Sequence, residues 1–63
     1  MNKFNVGDII RNNMGGSSNF TYLVTQIPSP VSYRYQLVCL DKNQTTWFLE
    51  EHEHRYDIVE RAT

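Results

Sequence analysis

The alternation in Tyr33-Arg34-Tyr35-Gln36-Leu37-Val38-Cys39-Leu40 constrains this chain more than any other feature. Successive side chains of a β-strand point to opposite faces, so Tyr33, Tyr35, Leu37 and Cys39 are expected on one face and Arg34 and Gln36 on the other. Val38 and Leu40 make the second face apolar too, which predicts a strand that runs from a half-exposed end into a place covered on both sides, at the centre of the fold. The polar connection Asp41-Lys42-Asn43-Gln44 is of hairpin type and leads into Thr45-Thr46-Trp47-Phe48-Leu49. These two strands should therefore pair antiparallel.

The rest of the chain reads the same way. Phe4-Asn5-Val6-Gly7-Asp8-Ile9-Ile10-Arg11 turns at Gly7-Asp8 and enters a short β-branched run. Residues 12 to 19, Asn, Gly and Ser with the single apolar Met14, read as a flexible loop, because paired glycines cost too much backbone entropy inside an element. Phe20 to Ile27 is almost wholly β-branched or aromatic and stops at Pro28-Ser29-Pro30, a stiff segment that cannot continue a ladder. Glu50-Glu51-His52-Glu53-His54-Arg55 contains no apolar residue and predicts a solvated acidic turn, helical at most, before a last short strand Tyr56-Asp57-Ile58-Val59-Glu60. Five short strands with no helical period make an all-β domain. The core is expected from Val6, Ile9, Leu23, Val24, Leu37, Val38, Leu40, Phe48, Ile58 and Val59.

With 63 residues there is room for one domain, spanning 1–63. An apolar fraction of 40%, with three Phe, four Tyr and one Trp, is too rich for a disordered tail. No run approaches a membrane span or a signal peptide, and the lone Cys39 cannot form an internal disulfide, which together read as a cytoplasmic protein. The net charge of -1 argues against non-specific coating of nucleic acid, which needs a basic excess. The charge is uneven: residues 50 to 63 carry Glu50, Glu51, Glu53, Asp57 and Glu60 against Arg55 and Arg61, enough to steer a basic partner or to keep the chain soluble.

Phe4-x-Val6-Gly7-Asp8-x-Ile10 at the opening, the hairpin from Tyr33 to Leu49 and Tyr56-Asp57-Ile58-Val59-Glu60 at the close together resemble an SH3-like small β-barrel over nearly the whole chain. An OB-fold shares most of this strand pattern. The size and style are also similar to small bacteriophage-encoded accessory proteins. The resemblance implies a five-stranded barrel with a short helical turn before the last strand, and a domain that binds one host protein and alters its activity.

The residues point to binding rather than catalysis. No carboxylate pair has a sequence context that would raise one pKa and leave the other ionised, and no phosphate-cradling loop is present, since Gly15-Gly16 is followed by Ser17-Ser18 without a Lys. His52 and His54 beside Glu51 and Glu53 lack the further ligands from a second place that a zinc site draws on, so neither metal nor cofactor is expected. Cys39 lies mid-strand as a buried structural thiol. The partner-binding candidates are Tyr33, Arg34, Tyr35 and Trp47, residue types that dominate interface energetics, with Glu50 and Glu51 steering a basic protein partner. With Lys42, the same aromatics and Arg34 also compose a single-stranded nucleic-acid site. A barrel this small must fill its interior with large side chains, so Tyr35 and Trp47 can equally belong to the core.

Overall fold

A computed structural model describes residues 2–15 and 20–62. Five antiparallel strands form one sheet: β1 (Ile9–Asn12), β2 (Thr21–Gln26), β3 (Arg34–Cys39), β4 (Gln44–Leu49) and β5 (Tyr56–Glu60). A 3-10 helix over Glu50–Arg55 joins β4 to β5. The order across the sheet is β4-β3-β2-β1-β5, so only the last strand leaves its sequence neighbour and crosses to the far edge beside β1. The all-β architecture with a helical turn before the last strand is the one expected from the runs of β-branched and aromatic residues. Among the described residues no helix is long and apolar enough to cross a membrane.

Turn chemistry sets the register. The N–H of Asp8 donates to the carbonyl of Asn5 at 3.0 Å around Gly7, whose φ of 96° is open to glycine and costly for other residues. Ser29 and Ser32 exchange backbone hydrogen bonds of 2.7 and 3.1 Å around Pro30 and Val31, a tight turn in which proline's fixed φ is already correct. The β3–β4 hairpin turns through Leu40 to Asn43, with Asn43 at φ 54°, a conformation that Asn tolerates better than most residues. At Thr25 the register of β2 against β3 shifts, and the Thr25 hydroxyl donates to the Gln36 carbonyl at 3.1 Å.

The core is an aromatic cluster that curls the sheet on itself. Phe4, Ile10, Val24, Tyr35, Leu37 and Phe48 are buried together, with Cys39 beside them. Phe48 stacks on Tyr35 at 4.7 Å and on Tyr56 at 4.2 Å, while Phe4 meets Tyr35 and Phe48 edge-on. Phe48 and Tyr56 belong to the two edge strands, so their stack brings opposite ends of the sheet together. Burying rings in this way is worth about 1.5–3 kcal/mol each, the main stabilising contribution available to so short a chain.

Several sequence expectations are corrected here. Val24, Leu37 and Phe48 are buried, and Ile9, Leu23, Val38 and Ile58 are half-buried, but Val6, Leu40 and Val59 are exposed. Val6 occupies the turn before β1 and Leu40 the hairpin turn, where neither face of a strand exists to cover them. Val59 alternates with the inward Ile58 and therefore faces out. Within the segment read as a flexible loop, Asn12 belongs to β1, and Asn13 donates its N–H to the Arg55 carbonyl at 2.8 Å and its side-chain amide to Asp57 and His54. The part of that loop at 16–19 lies outside the described residues.

Candidate functional site

The alternation of β3 divides the proposed binding residues between two faces. Tyr35, Leu37 and Cys39 point into the core, and Arg34, Gln36 and Val38 point out. Tyr35 is fully buried and is removed from the partner-binding set: its ring is held between Phe4 and Phe48. On β4 the inward residue is Phe48, so its neighbour Trp47 faces out and remains 53% exposed. The choice left open by the sequence is thus resolved one way for each residue.

The outward residues meet. In the β3–β4 register Arg34 lies opposite Leu49, and Gln36 opposite Trp47. The Arg34 guanidinium reaches diagonally to sit 5.1 Å from the centre of the Trp47 ring. This cation–π contact holds the indole and the charge in one orientation while both stay at the surface. Next to them Tyr33 is 67% exposed, and its carbonyl accepts the Glu50 N–H at 2.9 Å. Tyr33, Leu49, Glu50 and Glu51 line a shallow groove of about 340 Å³. Five of the candidates, Tyr33, Arg34, Trp47, Glu50 and Glu51, therefore compose one continuous surface at the end of the hairpin. Leu49 joins them without having been expected, because register across strands is what places it opposite Arg34.

Lys42 does not belong to this surface. Its ammonium lies 4.6 Å from the centre of the Phe20 ring, at the hairpin turn. The turn is several residues along the strand from Trp47, and at about 3.3 Å per residue this separates the two by roughly 16 Å. Of the set expected for stacking on bases, Tyr33, Arg34 and Trp47 stay at the surface, while Tyr35 is in the core and Lys42 stands at the hairpin turn.

The acidic turn is also less uniform than the sequence implies. Glu51 is exposed and pairs with the His52 imidazole at 3.7 Å. Glu53 instead turns inward: its Oε2 accepts the Tyr35 hydroxyl and the backbone N–H of Lys3, the latter at 3.0 Å. Burial, and then this hydrogen bond to Glu53, push the Tyr35 hydroxyl above its ordinary pKa. Glu53 is a structural clamp between the 3-10 helix, the core and the N-terminal segment. Sequence reasoning missed it because nothing local distinguishes it from Glu50 and Glu51. Asp8 was missed for the same reason: it is buried, and its carboxylate accepts the N–H of Asn5 at 2.9 Å and that of Ala62 at 2.8 Å, tying the two ends of the chain together. Among the described residues no cluster of three potential metal ligands occurs.

No protein-family model, no curated protein and no solved structure matches this chain.

Proposed function

We propose that this chain is a non-catalytic binding module of the SH3-like small-barrel type, a phage-type accessory protein that docks on a host protein in the cytoplasm and modulates it. The observation that carries the reading is the Arg34–Trp47 pair, a large aromatic and a guanidinium stacked at the surface on two strands paired with each other along their whole length. With the interior filled by Phe4, Tyr35 and Phe48, any partner must be met from outside. Trp, Tyr and Arg are the residue types that most often dominate interface energetics, and a pair already ordered in the free protein loses little side-chain entropy on binding. Glu50 and Glu51 at the rim favour a partner with a basic flank and raise the association rate at low salt.

Affinity capture from a bacterial lysate with wild type beside a Trp47→Ala, Arg34→Ala variant tests this reading. A host protein held by the wild type and lost from the variant, at unchanged circular dichroism, supports it. Undiminished capture by the variant refutes the surface. A parallel titration with a fluorescent single-stranded oligonucleotide at two salt concentrations tests the nucleic-acid alternative: tight binding that falls steeply with salt would replace the protein partner with phosphate contacts.

A further inference from the structure

The two edges of the sheet are treated differently. On β5, hydrogen bonding of Asn13 to Arg55 means that Tyr56 and Ile58 direct their backbone groups away from β1, toward the open edge. That edge is guarded. The Tyr56 N–H is bonded back to the Glu53 carbonyl, the Tyr56 carbonyl accepts the Lys3 ammonium at 2.7 Å, and Asp57 and Glu60 add charge.

On β4 the Glu50 N–H donates to the Tyr33 carbonyl, so Phe48, Thr46 and Gln44 are the residues bonded to β3. Thr45 and Trp47 therefore present their N–H and C=O groups outward and Leu49 its N–H, while the Leu49 carbonyl is taken by the first turn of the 3-10 helix. Among the described residues no turn, loop or side-chain hydrogen bond reaches the backbone of Thr45 or Trp47. The strand Gln-Thr-Thr-Trp-Phe-Leu carries no charge, no proline and no bulge against β3. It has none of the devices by which natural edge strands repel another strand.

We propose that β4 pairs antiparallel with β4 of a second copy of this chain across a two-fold axis at Trp47. Trp47 then lies opposite Trp47 of the partner subunit, exchanging both backbone hydrogen bonds, and Leu49 lies opposite Thr45 of the partner subunit, with the Leu49 N–H donating to the carbonyl of the partner's Thr45. The edge borders a groove of about 350 Å³ formed with Met14, His52 and Tyr56. Charge favours this occupant. Lys42 precedes β4 and Glu50 and Glu51 follow it, so antiparallel pairing sets the basic hairpin turn of each copy beside the acidic turn of the other. A two-fold contact of this kind closes at the dimer instead of growing into a fibre. A short strand pair falls below the interface area of permanent dimers, so the association is weak and concentration-dependent. The contact shares Trp47, Glu50 and Glu51 with the docking surface proposed above, so pairing between copies and docking on a host protein compete for this edge.

Sedimentation equilibrium of the wild type should show a mass rising from 7.4 kDa toward twice that value as concentration approaches about 1 mM, with a blue shift of the single Trp47 emission. Thr45→Pro sets a proline ring on the open edge in the path of the incoming strand and leaves the bonds to β3 in place. It should raise the dissociation constant about tenfold or more. Lys42→Glu and Glu51→Lys should each weaken association about fivefold at low salt, and the double charge swap should restore it. These surface variants do not touch the strand, so they read out even if Thr45→Pro fails to fold. A constant monomer mass at all concentrations, or association that ignores the charge swap, overturns the proposal. Capture of a host protein by Arg34 and Trp47 is read separately, at concentrations where the chain is monomeric.

Discussion

Replacing Tyr35 with Phe isolates the clamp at the centre of this protein. The ring stays: its stack on Phe48 and edge contact with Phe4 depend on carbon atoms that the substitution keeps. What disappears is the hydroxyl that donates to Glu53 Oε2. A hydrogen bond to a charged acceptor contributes about 1.5–3 kcal/mol, and its loss leaves a half-buried carboxylate with the Lys3 amide as its remaining partner. For 63 residues the whole stability is about 3–9 kcal/mol, so this one bond is a large share of it. A domain of this size loses about 4–8 °C of melting temperature per kcal/mol, which predicts a fall of about 10 °C or more at neutral pH. The pH dependence supplies an independent check. Because the folded hydroxyl titrates above its ordinary value, the unfolded chain releases its proton first as pH rises past about 10, and the unfolded state then binds fewer protons than the folded one. Stability linked to Tyr35 is thus fully present below about pH 10 and is lost above it. Thermal melts of wild type and Tyr35→Phe from neutral to alkaline pH should show a gap that narrows above that point. Tyr22, also raised by burial, contributes the same slope to both proteins and cancels in the difference. A variant that melts within about 2 °C of wild type at neutral pH, or a gap that stays constant into the alkaline range, would refute the clamp.

The other stability predictions follow the same logic. Gly7→Ala places a Cβ 2.9 Å from that of Ala62 at a φ of 96°, and urea unfolding should report a loss of about 1–2 kcal/mol or more. Asp8→Ala leaves the Asn5 and Ala62 amides without their acceptor; amide exchange should accelerate at both chain ends, with a loss of about 1–3 kcal/mol. Leu37→Ala, at 1% exposure on the central strand, should cost about 2–5 kcal/mol, enough to unfold much of the population at moderate temperature.

Local chemistry determined where the strands run. Runs such as Thr21–Gln26 and Gln44–Leu49 are β-branched and aromatic, and Gly7, Pro30 and the polar turn at 41–43 punctuate them, so each strand and turn is legible without any partner. Alternation also separated the faces of β3, with Arg34 and Gln36 opposite Leu37 and Cys39. It did not say which face of β4 turns inward, since Trp47 and Phe48 are equally suited to a core. The curl of the sheet decides that, when Phe48 stacks on Tyr56 from the opposite edge and Trp47 is left outside against Arg34. The same holds for the polar residues that lock the fold. Asp8 reaches Ala62 and Glu53 reaches Lys3 across most of the chain's length, Glu53 also reaches Tyr35 on β3, and a carboxylate acquires such a role only from groups that folding brings to it. Secondary structure here is a property of neighbours in sequence, whereas the division between core and binding surface is a property of neighbours in space.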